Sequence, residues 1–211
     1  MKIILAPNPY RDKQFQTALQ AKKILEECGC VTRMCLPFDV DRDFELPRTI
    51  RFTDIRTEIR DADMLICFGG DGTILHTSKI ATQHNLPVLG VNIGTMGFIA
   101  ELESGELELL RKLPKKEYTI ENRSMLDITV TNGTQQTFHE IALNDTVVTK
   151  GAIARVIQIS VCCDGVECAQ EHFPKRCGIN DLSQICTPPT GGMKMARKRG
   201  SREGSSANAP A

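Results

Sequence analysis

The sequence carries no net charge, because 26 Lys and Arg offset 26 Asp and Glu. No global field therefore draws the chain to nucleic acid or to an anionic membrane surface. No apolar run approaches the roughly 20 residues that a membrane span needs. The first residues, Met1-Lys2-Ile3-Ile4-Leu5 ahead of Pro7, are too short for an export signal and lack a small-residue cleavage site. The nine cysteines are odd in number and show no zinc-knuckle spacing: one residue separates Cys28 from Cys30, and Cys162 abuts Cys163. With no export signal, this predicts reduced thiols in a cytoplasm and no cysteine metal centre. A G-x-G-x-x-G opening the first helix is also missing, which argues against a dehydrogenase.

What is present reads as globular protein. Apolar residues make up 41% and charged residues 25% of 211, enough for one large domain or two small ones. Lys2 to Ala6 has strand length. Lys13 to Cys28 carries Phe15, Ala18, Leu19, Ala21, Ile24 and Leu25 near helical spacing, and Gly29 follows as a stop. Val31 to Leu36 predicts a second strand, 37 to 47 a loop, and Arg48 to Asp61 a helix. Met64-Leu65-Ile66-Cys67-Phe68 is a continuous apolar run, as in a strand covered on both faces. A helix over Thr73 to His84 and a strand over Pro87 to Val91 complete an alternation that implies a parallel sheet.

After about Glu101 the pattern changes. Glu103 to Lys112 predicts a short helix, and β-type runs follow at 118–120, 125–131, 137–143, 146–149 and 155–162. Asn132-Gly133 between two of them is a hairpin signal. The expected organisation is an α/β domain over 1–102, the start of an antiparallel β domain over 103–166, and a divergent tail over 167–211. The tail loses periodicity, and its end is rich in Ser, Gly, Ala, Lys and Arg, so disorder is expected there.

The chemistry concentrates at Gly69-Gly70-Asp71-Gly72-Thr73, where a buried strand meets a helix. Ligands of open parallel sheets bind outside the carboxyl ends of strands. Glycines let the backbone approach a ligand, and the helix start offers free N–H groups to phosphate. Asp71 could take a proton from a sugar hydroxyl or hold a magnesium ion. It could equally be a helix cap in a structural turn.

Phe68-Gly69-Gly70-Asp71-Gly72-Thr73-Ile74-Leu75-His76 resembles the G-G-D-G-T signature of NAD kinases, which diacylglycerol and sphingosine kinases share and phosphofructokinases approach. Two further blocks decide among them. Leu89-Gly90-Val91-Asn92-Ile93-Gly94-Thr95-Met96-Gly97-Phe98-Ile99 is similar to the NAD kinase G-x-N-x-G-x-x-G-F run, and Ala142-Leu143-Asn144-Asp145-Thr146-Val147-Val148 to its A-L-N-E/D-V-V run. The resemblance covers residues 1 to 166. It implies a Rossmann-like α/β domain followed by an antiparallel β domain. It also implies phosphorylation of NAD at the adenosine ribose 2′-hydroxyl, giving NADP. ATP or polyphosphate would be the donor, with magnesium on the phosphates. The family usually forms homo-oligomers.

By the same resemblance Asp71 is the base, Gly72 a dinucleotide contact, and Asn144 with Asp145 the holders of adenosine and ribose. Arg155 and His76 stand where the family often has basic or His ligand contacts. His76 has a solvent-facing alternative and Arg155 a strand-surface one. Asn92 could bond its own loop, while Gly94 and Gly97 suit tight backbone geometry.

From residue 167 the likeness fails. The family continues through R-x-D-G to S-T-P-T-G-S-T-A-Y. This chain has Glu167-Cys168-Ala169-Gln170-Glu171-His172-Phe173 and later Thr187-Pro188-Pro189-Thr190-Gly191-Gly192. A reading-frame shift near 167 would account for this, and weak or absent activity would follow. A fragment without activity, or a lipid or sugar kinase sharing the glycine turn, are the alternatives.

Overall fold

A computed structural model describes residues 1–94, 97–143, 146–149, 157–163, 166–173, 176–179 and 192–198. The chain forms two compact units, Met1–Arg123 with Met193–Ala211, and Ser124–Gly192.

In the first unit, β1 (Lys2–Pro7), β2 (Val31–Cys35), β3 (Phe52–Thr53), β4 (Met64–Gly69), β5 (Val88–Asn92) and β6 (Leu102–Glu103) pair in parallel. The order is β3-β2-β1-β4-β5, with β6 beside β5. β4 is buried along its whole length, as its unbroken apolar run requires. Ile3 faces Met64 and Pro7 faces Phe68 across the β1–β4 pair. The chain steps from β1 to β2 on one side, then crosses back from β3 to β4 on the other. The strand order thus reverses between β1 and β4, and their carboxyl ends open the crevice where such sheets bind ligands.

α1 (Gln16–Glu27) is shorter than its periodicity predicts. Gln14 and Phe15 adopt left-handed conformations, with φ of 53° and 59°, and split a 3-10 turn from the helix. The buried Asp12 carboxylate holds this kink by accepting from Thr17 N at 3.0 Å and Ala18 N at 2.9 Å, two amides of the first turn. Gly29 then ends the segment at φ +79°. Between Arg48 and Asp61 the expected helix is confined to α2 (Ile55–Glu58) and a 3-10 turn, because β3 takes Phe52 and Thr53.

One face of the sheet, through Ile3, Leu5, Ile66 and Phe68, packs on α1 and on the 3-10 helix Ser104–Lys112. Leu107, Leu110 and Leu113 all lie in this core. A boundary near residue 102 would strip them from it, so the division falls at Arg123. α3 (Asp71–Gln83) packs on β4 and β5. β7 (Tyr118–Ser124) belongs to the same eight-stranded sheet.

The second unit contains antiparallel pairs. β8 (Leu126–Asn132) and β9 (Gln135–Ala142) form the hairpin signalled by Asn132-Gly133, with Asn132 opposite Gln135. β10 (Thr146–Thr149) pairs with β13 (Arg176–Ile179), and β11 (Ile157–Cys163) with β12 (Val166–Phe173). The expected tail from 167 therefore carries strands. One more, β14 (Gly192–Lys198), joins the first sheet beside β5, with Met195 opposite Val88. The architecture is an α/β sheet domain followed by antiparallel β structure.

Candidate active site

β4 delivers Gly69 and Gly70 to the mouth of the β1–β4 crevice. Gly70, extended at φ −98°, precedes the first residue of α3, Asp71. The start of such a helix carries partial positive charge; here Thr73 N donates to Gly70 O at 2.9 Å, so any free donors lie ahead of Thr73. A Cβ added at Gly70 or Gly72 would meet nothing within 4 Å, so this side of the turn is open. Across the crevice, Asn8 follows β1. Its backbone N donates to Phe68 O at 2.8 Å, and its Nδ2 donates to Thr73 Oγ1 at 2.8 Å. Asn8 thereby ties the end of β1 to the first turn of α3.

The Asp71 side chain is held from a distant part of the chain. Its Oδ2 accepts from Phe98 N at 3.0 Å and its Oδ1 from Ile99 N at 3.1 Å. Gly97 permits this approach, because a Cβ there would lie 2.4 Å from Asp71 Oδ1. Each carboxylate oxygen retains a further lone-pair site for a substrate hydroxyl. Phe98 stands 97% exposed beside this clasp, an apolar side chain with no burial to account for its position.

His76 lies one and a half turns further along α3. It is exposed and meets Phe38 edge-on, with ring centroids 5.5 Å apart at 89°. A cleft of about 890 Å³ opens there, walled by Leu36–Val40, by Phe52–Arg56 and by His76 and Ile80. Asp71 and His76 thus occupy different sides of one helix. Asn92 is buried; its Nδ2 donates to the Glu103 carboxylate at 3.0 Å, while its Oδ1 has no hydrogen-bond partner among the described residues. This bond reaches across the β5–β6 pair, where Asn92 is opposite Glu103, and is not one within its own loop. Behind the turn, burial pushes the Cys67 thiol up to about 12, so Cys67 is a packing residue.

Among the described residues no group of three His, Cys, Asp or Glu could hold a metal ion, and no helix is long and apolar enough to cross a membrane. Asn144, Asp145 and Arg155 lie outside the described residues. Sequence reasoning missed Asn8 and the reason for Gly97. Asn8 had a signal, since it is the first polar side chain after β1. The clasp joins Asp71 to Phe98, 27 residues on, and has no local signature.

The model of the ATP-NAD kinase N-terminal domain matches residues 3–118, more than half of the chain. The NAD kinase of Trichlorobacter lovleyi is 37% identical over 131 residues, covering 60% of this chain and 45% of the relative. That of Acetivibrio thermocellus is 27% identical over 162 residues, covering 75% and 54%. Among solved structures, yeast NADH kinase complexed with NADH superposes with a TM-score of 0.65 at 18% identity, over 83% of this chain and 56% of that one. An NAD kinase from Archaeoglobus fulgidus in complex with ATP gives 0.55 at 19% identity, over 83% and 59%. At these identities the two structures establish likeness of fold. The chain spans about half the length of the curated relatives it matches.

Proposed function

The chain belongs to the NAD kinase family through its N-terminal domain, and from that premise we propose that it phosphorylates NAD at the adenosine ribose 2′-hydroxyl, with ATP as donor. The observation that carries this reading is Asp71, a carboxylate clamped by two backbone amides at the open first turn of a helix, in the crevice of a parallel sheet.

The 2′-hydroxyl oxygen attacks the γ-phosphorus of ATP. The new O–P bond forms as the bond from that phosphorus to the β–γ bridging oxygen breaks, releasing ADP. The hydroxyl proton passes to a lone pair of Asp71 that Phe98 and Ile99 leave open. The positive end of α3 at Gly70–Gly72 faces the incoming phosphates, and catalysis is mainly positioning and electrostatics. Magnesium fits as an ion carried by the donor phosphates rather than by a protein cage: among the described residues no three His, Cys, Asp or Glu side chains are grouped to hold one. There it would neutralise phosphate charge.

Following the family resemblance, we assign Asn144 and Asp145 to the dinucleotide's adenosine and ribose, Gly72 and His76 to ligand contacts, and Arg155 to a further one. The same resemblance supports a homo-oligomer, and the unpaired thiols of Cys28, Cys30, Cys35 and Cys67 support a cytoplasmic setting. A lipid or sugar kinase shares the glycine turn but not the block at 89–99.

The test is NADP formation by the purified chain with NAD, ATP and magnesium. Removal of a positioned general base costs about 10²–10⁴ in rate. Asp71→Asn should lower turnover by that factor. A variant as active as the parent would remove Asp71 from the mechanism.

A further inference from the structure

Arg11 is a cation that the transfer of phosphate to ribose, as described, leaves unused. It is exposed, and among the described residues its guanidinium forms no ion pair. The loop that carries it is nonetheless fixed. Arg11 N and Asp12 N donate to Asn8 O at 3.1 and 2.9 Å, and Tyr10 N donates to Asn8 Oδ1 at 3.0 Å. The Asn8 amide in turn holds Thr73 in α3, and the Asp12 carboxylate is anchored on α1. Arg11 thus stands on a framework bonded to both helices that flank the crevice.

The direction of its side chain decides its role. Arg11 Nη1 lies 3.9 Å from the place that a Cβ on Gly94 would occupy. Gly94 follows the carboxyl end of β5, and Ile93 N, just before it, donates to Gly69 O at 3.1 Å. The sheet order there is β1-β4-β5, with neighbouring strands about 4.8 Å apart. A side chain rooted beyond the end of β1 that finishes beside the exit of β5 must cross the carboxyl end of β4. That end is the glycine turn. The guanidinium therefore stands over Gly69 and Gly70.

A cation has work to do at this place. Asp71 brings a full negative charge, a triphosphate brings more, and like charges repel. The end of α3 offsets only about half an elementary charge. A guanidinium supplies a full charge and a planar fork of donors that matches two oxygens of one phosphate. No internal ion pair has to break before it does so.

We propose that Arg11 is a further catalytic residue, gripping the terminal phosphate of the donor over the glycine turn. This rests on the reading above, which brings that phosphate to the turn. It adds no bond-making step: Arg11 stays protonated and neutralises charge on the non-bridging oxygens while the bond to the bridging oxygen breaks. The contact is to phosphate alone, so it takes no account of the donor's base.

The experiment is equilibrium dialysis of the full chain with labelled ATP and, separately, with labelled inorganic tripolyphosphate. Arg11→Gln, Arg11→Lys and Arg60→Gln are compared with the parent, each checked by its thermal melt. Arg60 is also exposed but precedes β4, at the opposite end of the strand. Loss of charge-assisted bonds to phosphate should weaken both ligands about ten- to a hundredfold in Arg11→Gln. Arg11→Lys, which keeps the charge and loses the fork, should fall between Arg11→Gln and the parent. Arg60→Gln should bind as the parent does, and all should melt with it. Where the chain makes NADP, Arg11→Gln should lower kcat by about 10³ or more, and added guanidinium ion should restore part of that loss. The proposal is overturned if Arg11→Gln binds both ligands as the parent does, if Arg60→Gln weakens them equally, if Arg11→Gln melts lower, or if a cooperatively folded parent binds neither. Weakened binding confined to Arg11 variants, in a chain that makes no NADP, would support Arg11 and defeat the proposed reaction. NADP formation undiminished in Arg11→Gln would do the reverse.

Discussion

Gly97→Ala offers a sharp perturbation of the site. The added Cβ would sit 2.4 Å from Asp71 Oδ1 and 3.1 Å from its Cγ. No real Cβ contact is that short, so either the carboxylate rotates away or the backbone at 97–99 retreats. Both outcomes break the bonds from Phe98 N and Ile99 N. Bonds to a charged acceptor are worth about 1.5–3 kcal/mol each. Phe98 is 97% exposed, and water recovers part of the loss there. A net cost of about 2 kcal/mol for the pair follows. At roughly 2–4 °C per kcal/mol for a chain of this size, the melting temperature should fall by about 4–8 °C. Hydrogen exchange of the Phe98 and Ile99 amides should accelerate by about thirtyfold, the same free energy expressed as a ratio. Gly72→Ala is the control. Its Cβ meets nothing within 4 Å, and an alanine in a helix gains up to about 1 kcal/mol over glycine. It should melt no lower than the parent. A Gly97→Ala protein with parental melting and parental protection at both amides would show that the clasp does not exist.

Other outcomes follow from the packing and the charges. Leu110→Ala, at a fully buried core position, should cost about 2–5 kcal/mol, and a fragment ending at 102 should fail to melt cooperatively; a stable 1–102 fragment would show that Leu107, Leu110 and Leu113 are not needed by the first core. Cys67 should resist alkylation at pH 8, since burial holds its thiol at about 12, while exposed Cys162 and half-buried Cys28 react ahead of it; mass spectrometry of the labelled protein decides this. Lys22 and Thr32 hold Glu26 below its ordinary value of 4.5, and hydrogen bonds from Arg111 and Lys2 lower Glu27 and Asp61 in the same sense. Groups depressed in the folded state add stability above their unfolded values and lose it as pH falls through the lowered ones. Melting should therefore be flat above about pH 4.5 on this account and decline below it, less steeply in high salt because these pairs are solvent-facing.

Much of the first unit was legible because its signals are local. The run Met64 to Phe68 followed by glycines could only be a buried strand ending in a turn, and β4 and α3 are found there. Asn132-Gly133 fixed a hairpin by turn chemistry alone. What stayed hidden depends on residues far apart. The kink at Gln14 and Phe15 is paid for by the buried carboxylate of Asp12, and nothing in helical periodicity announces left-handed residues. The place of Leu107, Leu110 and Leu113 in the first core was visible as a three-residue apolar spacing, yet which core they joined depended on α1 lying opposite. At the site, Asp71 was readable from its motif, but that Phe98 and Ile99 orient its carboxylate was not. Asn144, Asp145 and Arg155 rest on resemblance alone.

The central claim is that phosphate and ribose meet at the first turn of α3. It is tested most directly by backbone amide resonances of the labelled chain, followed as NAD, ATP and magnesium are added. The account predicts that Gly70, Gly72 and Thr73 move most, together with Phe98 and Ile99, and that Asp71→Asn alters the response of the last two. Saturable shifts elsewhere, with these five amides unmoved, would contradict it.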